Sequence, residues 1–266
     1  MTPGSPGAEE QPVADRASAI STKNASKTFE GGTVALEKVS FEVARSQFVS
    51  ILGPSGCGKS TLLRMVGGLI PADAGGEVRV LGQLQRSPSS DVGIVFQTHN
   101  MLPWITVEAN IRLAAEMRGL STSEIAERTR RILDVLKLTP YRSLFPHQLS
   151  GGMRQRAAFG QILILRPQIL LLDEPFGALD ALTRDQLNVE LLRLWEEGKQ
   201  TVILITHSIP EAVFLSDRIL VMSDRPGRII ADIAIDFPRP RDPQHTRAFP
   251  EFTEHVLTLN HMMGVH

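Results

Sequence analysis

The chain has 266 residues, enough for a sizeable core and, at ~100–200 residues per domain, for one large domain or two small ones. Its 28 Lys and Arg residues nearly balance 29 Asp and Glu residues, which argues against a protein held on nucleic acid by bulk charge. The single cysteine, Cys57, excludes an internal disulfide framework and any multi-cysteine metal site. No run of eighteen apolar residues occurs, so no membrane-spanning helix is predicted.

The predicted elements alternate between strands and helices. Residues 1–19 are rich in Pro, Gly, Ala and Ser and are predicted to be a flexible leader. Apolar runs predict strands at Ser40–Val43, Gln47–Leu52, Glu77–Leu81, Val92–Phe96, Ile169–Leu172, Thr201–Ile205, Arg218–Met222 and Arg228–Ile235. This alternation is typical of a mostly parallel sheet covered by helices on both faces.

Helical signals lie between these strands. Capping-box patterns at Ser121 and Thr183 each predict the start of a helix. Residues 98–159 contain no convincing strand and are predicted to be a helical subdomain inserted in a domain spanning 20–240. The remaining residues, 241–266, contain several prolines and are expected to form a tail, either a short helix or a disordered end.

A glycine-rich segment follows the strand that ends at Leu52 and precedes a predicted helix, Thr61–Leu69. It matches the P-loop pattern G-x-x-x-x-G-K-[ST], whose glycines let backbone N–H groups converge on phosphate oxygens. Lys59 is predicted to reach the β and γ phosphates, and Ser60 to hold Mg²⁺. The predicted ATP-binding residues of this loop are Gly53, Pro54, Ser55, Gly56, Cys57, Gly58, Lys59, Ser60 and Thr61.

Two acids, Asp173 and Glu174, end the apolar run Ile169–Leu172. In an open parallel sheet, ligands bind at the carboxyl edge of the strands, where the P-loop also lies. Asp173 is therefore predicted to contact the Mg²⁺ shell, and Glu174 to act as the general base for an attacking water.

A Leu-Ser-Gly-Gly segment, Leu149–Gly152, precedes the acidic strand. Together with the P-loop, Gln97, Asp173–Glu174, Asp180 and His207, it gives the motif order found in the ATPase subunits of ABC transporters. The resemblance covers about residues 20–237. It implies a RecA-like P-loop NTPase fold: a mostly parallel sheet core with an antiparallel β edge and an inserted α-helical subdomain.

The resemblance also implies roles for single residues. Phe29 lies where the family places an aromatic that stacks on adenine, although a plain core position is the alternative. Gln97 is expected to touch Mg²⁺ or the attacking water, His207 to contact the γ-phosphate, and Asp180 to form the family's D-loop. The residues expected to bind the partner subunit's ATP are Leu149, Ser150, Gly151, Gly152 and Gln155.

These roles imply a homodimer with two ATP molecules and their Mg²⁺ ions at the dimer interface. They imply no nucleic-acid partner. Because pore domains are absent, the resemblance further implies separate integral membrane permeases, served by a periplasmic or lipid-anchored solute-binding protein. The ATPase is then expected at the cytoplasmic face of a bacterial inner membrane, as a peripheral subunit.

Three segments resemble the nitrate, sulfonate and taurine importer branch: Asn100–Asn110, Asp173–Arg184 and Arg225–Ile229. Leu102, Pro103 and Trp104 are expected to form an exposed knob that contacts the permease, with a satellite core as the alternative. Two other functions stay open at this point. One is an ABC ATPase of an exporter or lipid-handling system, and the other is an ABC ATPase acting on ribosomes or DNA.

The sequence departs from the family's common pattern shortly after Leu149–Gly152, the signature segment. Where the family commonly has Ala-Arg within a helix, this chain has Gly160–Gln161. An interior glycine costs about 1 kcal/mol of helix stability, so we expect altered packing of this helix.

Overall fold

The computed structural model describes residues 18–96, 101–177 and 179–264. The strands are β1 (Ser18–Thr28), β2 (Val34–Ala44), β3 (Phe48–Leu52), β4 (Glu77–Val80), β5 (Gln83–Leu84), β6 (Val92–Val95), β7 (Ile169–Asp173), β8 (Thr201–Ile205), β9 (Arg218–Met222) and β10 (Ile229–Ala234). The α-helices are α1 (Lys59–Val66), α2 (Val107–Met117), α3 (Thr122–Val135), α4 (Gly151–Leu163), α5 (Ala181–Gly198), α6 (Ile209–Leu215), α7 (Pro243–Ala248) and α8 (Pro250–Met262).

The larger sheet has six strands in the order β10-β9-β3-β8-β7-β6. Only β10 runs antiparallel to its neighbour, and the other pairs are parallel. Every residue of β3, β7 and β8 is buried, as expected for apolar runs covered on both faces. Because β3, β7 and β8 are parallel neighbours, their carboxyl ends meet at one edge of the sheet.

A smaller antiparallel sheet, in the order β2-β1-β4-β5, forms the predicted β edge. The predicted α/β fold is therefore confirmed, with a mostly parallel sheet beside an antiparallel one. Residues 18 and 19 begin β1, and the rest of the predicted leader lies outside the described residues.

Residues 101–163 form the helical region, which contains α2, α3, α4 and short 3-10 turns at Thr139–Tyr141 and Pro146–Gln148. Gly160 lies where the three helices meet: a Cβ there would stand 3.0 Å from Ile132 Cγ2 and 3.1 Å from both Ile111 Cδ1 and Leu136 Cδ1. The glycine thus lets α2 and α3 approach α4 closely, which explains why a residue of low helix propensity occurs inside α4.

The prediction that Thr183 begins a helix is wrong. Asp180 is the N-cap of α5, and its Oδ1 accepts the Thr183 N–H at 3.0 Å. Asp and Thr both cap helices, and Asp180, three residues earlier, takes the position that the pattern assigned to Thr183.

The C-terminal segment packs on the sheet domain through α7 and α8. Arg241 is 5% exposed and donates to the carbonyls of Phe214, Ser216 and Ile235, around the end of α6. Burial lowers the pKa of this guanidinium to about 10. Arg247 makes two hydrogen bonds, of 2.9 and 2.7 Å, to the Asp185 carboxylate of α5. None of the described helices has the length and apolar character that crossing a bilayer requires.

Candidate active site

The P-loop joins the buried strand β3 to α1 at the carboxyl edge of the larger sheet. Gly56 and Gly58 have φ values of 77° and 108°, the left-handed region that favours glycine. A Cβ at Gly58 would stand 2.7 Å from the Ala35 carbonyl, so the loop also requires glycine there for space. These conformations turn the loop around the N-terminus of α1, a typical site for anions.

Lys59 is the cation at the centre of this loop. It is 8% exposed, and its ammonium donates to the Gly53 and Pro54 carbonyls at 2.7 Å each. The side chain is therefore folded back within the loop, where a phosphate group would offer it charged oxygen acceptors in place of carbonyls.

Asp173 ends β7 beside α1. It is 8% exposed and hydrogen-bonded to Ser60. Burial, the largest influence, raises the pKa of Asp173, while the Ser60 hydroxyl, Arg64 and Lys59 oppose the shift. A buried carboxylate and a hydroxyl form an oxygen donor set that fits Mg²⁺, which uses one or two carboxylates together with phosphates and water.

Glu174 has a left-handed backbone, with φ of 48°, an uncommon conformation for a residue with a side chain. Its N–H donates to the Ile205 carbonyl of β8 at 2.9 Å, which ties it to the neighbouring strand. Its Oε2 lies 3.5 Å from Nδ1 of His207, the residue two positions after β8. The structure thus brings together Glu174 and His207, which the sequence separates by 33 positions (207 − 174).

Of two further predicted site residues, the structure describes Asp180 but not Gln97. Gln97 lies outside the described residues. Asp180 caps α5, and its pKa is lowered mainly by the hydrogen bond from the Thr183 N–H.

The signature segment begins α4. Ser150 is the exposed N-cap, and its Oγ accepts the Met153 N–H at 3.3 Å. Gly151 is also exposed, whereas Leu149 is 5% exposed and anchors the segment in the core. A Cβ at Gly152 would stand 2.3 Å from Leu179 Cδ2, so any larger residue there would force the Leu179 side chain to move.

Gln155 differs from the rest of the signature segment. It is 4% exposed, and its Nε2 donates to the Glu174 carbonyl of the same chain at 3.1 Å. The amide nitrogen of Gln155 is thus used within its own subunit, at the backbone of Glu174.

Phe29 lies in the turn between β1 and β2, is 42% exposed, and so is not a core residue. The preceding residues are held by Asp73, whose carboxylate accepts the Thr28 N–H at 2.6 Å and the Lys27 ammonium at 3.2 Å. Burial alone would raise the pKa of Asp73, but these two donors outweigh it and lower the pKa. Sequence reasoning missed Asp73, since no motif spacing links it to Phe29.

Arg225 lies in a segment that the sequence links only to one branch of the family, yet it contacts the P-loop directly. Its Nε and Nη2 donate to the P-loop carbonyl of Gly56 at 3.1 and 2.8 Å. The signal available in the sequence was its place in an Arg-Pro-Gly-Arg turn shortly after β9, a strand parallel to the P-loop strand β3.

Trp104 is 70% exposed, and Pro103 is also exposed, while Leu102 is half-buried. Asn110 of α2 holds this turn: its Oδ1 accepts the Leu102 N–H at 2.8 Å, and its Nδ2 donates to the Leu102 and Ile105 carbonyls at 3.0 and 3.1 Å. Gln161 Nε2 donates to the Asn110 carbonyl at 3.3 Å, which joins α4 to the same cluster.

Comparisons with known proteins agree with this geometry. The ABC transporter family profile matches residues 36–177. The chain is 42% identical over 241 residues to the aliphatic sulfonates import ATP-binding protein SsuB of Bacillus cereus, covering 90% of this chain and 94% of that protein. It is 43% identical over 229 residues to the taurine import ATP-binding protein TauB of Rhizobium johnstonii, covering 84% and 87%. The dimeric structure of a post-hydrolysis state of the ATP-binding cassette MJ0796, bound to ADP and Pi, matches with a TM-score of 0.73 and 31% identity, covering 82% of this chain and all of that one (100%).

Proposed function

The chain belongs to the ABC transporter family as an ATP-binding subunit with ATPase activity, and from this premise we propose that it powers the import of an aliphatic sulfonate or taurine. The subunit would lie at the cytoplasmic face of a bacterial inner membrane. A solute-binding protein would deliver the solute, which would pass through separate permease subunits. The names of two relatives that match nearly end to end support this solute class.

The observation that carries the catalytic part of the proposal is the 3.5 Å contact between Glu174 Oε2 and His207 Nδ1 at the P-loop edge of the sheet. Glu174 would accept the proton of the attacking water, and His207 would orient toward the γ-phosphate. Lys59 and the loop N–H groups would hold the β and γ phosphates. Ser60 and Asp173 would hold Mg²⁺, which when bound neutralises phosphate charge.

The exposed N-terminus of α4 supports a shared site. Ser150 and Gly151 present backbone N–H groups at a helix N-terminus, and such groups favour a phosphate. In a head-to-tail pair, each α4 would contact the γ-phosphate on the partner's P-loop. The dimeric neighbour bound to ADP and Pi supports this arrangement.

Glu174→Gln tests the base and the shared site together. Removing the basic carboxylate should lower hydrolysis by about 10²–10⁴-fold while nucleotide still binds. Intact ATP can bridge two subunits and ADP cannot, so the variant should elute from a sizing column as a dimer with Mg²⁺-ATP and as a monomer with ADP. Adding Ser150→Arg should dissolve that dimer without changing the subunit's own P-loop.

A variant that stays monomeric with ATP, both alone and with the permease bound, would refute the shared site. The direction of transport is measured in vesicles that carry the permease and this subunit, with the binding protein and taurine supplied on the outside. ATP supplied to the face that binds this subunit should drive uptake with the parent chain, and uptake should fail with Glu174→Gln. Net ATP-driven efflux would instead identify an exporter.

A further inference from the structure

Gln155 occupies a position that packing alone does not explain. It lies in the second turn of α4 and is 4% exposed, yet its Oε1 has no hydrogen-bond partner among the described residues. A buried polar atom without a partner is unfavourable, and an apolar side chain of the same size would avoid it. The hydrogen bond from Nε2 to the Glu174 carbonyl is therefore the contact that a glutamine specifically provides here.

The other end of that bond is a strained backbone. Glu174 adopts φ of 48°, and such conformations persist where surrounding contacts impose them. Within the described part of the chain, its N–H donates to Ile205 at 2.9 Å, and its carbonyl accepts the Gly177 N–H at 3.2 Å and Gln155 Nε2 at 3.1 Å, which gives three hydrogen bonds to its peptide groups. Of these three, only the bond from Gln155 comes from the helical region.

The direction of the Glu174 carboxylate follows from this backbone. A side chain in the left-handed region leaves the chain in a direction that the strand conformation would not allow. Here that direction brings Oε2 to 3.5 Å from His207 Nδ1. If the carbonyl of Glu174 lost one of its hydrogen bonds, the peptide group could rotate and move the carboxylate away from the attacking water.

We propose that Gln155 is a positioning residue for ATP hydrolysis, which fixes the Glu174 backbone and ties it to the helix that begins at Ser150. The inference rests on the proposed role of Glu174 as general base. Because α4 also carries the N-terminus proposed to contact the partner's nucleotide, the bond joins the signature segment of one composite site to the base of the other.

Gln155→Met tests this role, since methionine has a similar volume and no donor. We expect kcat for hydrolysis to fall about 10–100-fold, because misplacement of a catalytic group by ~1 Å can cost ~10²-fold. KM for ATP and the affinity for a fluorescent ATP analogue should change less than about twofold, since no phosphate-binding group is altered. Gln155→Asn keeps an amide that is too short to reach and should show the same loss. Gln168→Ala, at the opposite edge of the sheet, is the control.

A double-mutant cycle separates positioning from general damage. If Gln155 acts through Glu174, Gln155→Met should change the residual rate of Glu174→Gln by less than about twofold. An equal loss in both backgrounds, or weaker ATP binding with kcat unchanged, overturns the inference. So does full hydrolysis in both Gln155 variants, with thermal unfolding showing that they are folded. Undiminished hydrolysis in Glu174→Gln alone would instead refute the proposed base.

Discussion

The larger sheet and the helical region place their functional groups in opposite ways. Asp173 and Glu174 stand at the end of β7, a strand that is buried at every residue. Lys59 begins α1, which the P-loop joins to the equally buried strand β3, so the core fixes the backbones of all three residues. Ser150 and Trp104 are exposed and begin or precede helices outside that sheet. The groups proposed to perform chemistry thus lie beside the most buried strands, whereas the groups proposed to meet other chains lie on the exposed surface of the helical region.

This contrast predicts that substitutions in the two regions fail differently. Variants at the edge of the sheet should change nucleotide binding or hydrolysis in the isolated subunit. Variants on the exposed helical surface should leave the fold of the isolated subunit intact and change only its binding to partner chains and the activities that depend on that binding.

Lys59→Ala should have the largest effect on binding. It removes the cation that the P-loop surrounds, and two charge-assisted hydrogen bonds are together worth about 3 kcal/mol or more, a loss of at least ~100-fold in ATP affinity. Titration with a fluorescent ATP analogue measures this loss. Lys199→Ala, near the opposite edge of the sheet, is the matched control. Parent-like binding in a folded Lys59→Ala chain would refute the P-loop assignment.

Trp104→Ala should separate the two regions most clearly. An aromatic anchor buried at an interface is worth ~2 kcal/mol, so binding to the permease and ATP-driven uptake should fall about 30-fold. ATPase activity and thermal unfolding of the isolated subunit should stay within error, because the side chain is 70% exposed. Met117→Ala is the control, since Met117 is 81% exposed at the end of α2. A large drop in unfolding temperature would show that Trp104 supports the fold instead.

Phe29→Ala should give the smallest change. Stacking of a base on an aromatic ring contributes ~1–3 kcal/mol, so we expect about tenfold weaker ATP binding. Phe29→Tyr keeps the ring and should bind like the parent chain. Triphosphate without a base supplies the decisive comparison: its affinity should not differ between Phe29→Ala and the parent. Equal loss for both ligands would indicate a disturbed P-loop rather than lost stacking.

Sequence reasoning succeeded where the physical cause is local. The apolar runs of β7 and β8 and the glycines of the P-loop follow from patterns within a few residues, and Ser121 caps α3 as its spacing predicts. It failed at Thr183, which has the pattern of an N-cap, because Asp180 three residues earlier offers a competing cap and is the one used. It also failed where the cause is distant in the chain.

The missed contacts have the same origin. The bonds from Gln155 to Glu174, from Arg225 to Gly56 and from Thr28 to Asp73 each join different elements. No spacing rule connects such partners, because only the packing of the finished fold determines which of them meet. Motifs therefore predicted the candidate site, while the residues that hold its backbone in place became visible only in three dimensions.

The amide of Asn110 has a consequence for the thermodynamics of docking. It is completely buried and bonds Leu102 at both backbone groups and the Ile105 carbonyl, on either side of Trp104. The turn is thus ordered before any partner arrives, and its conformational entropy is already lost on folding. A permease that binds Trp104 would not have to order this loop, so more of the contact free energy would remain as affinity.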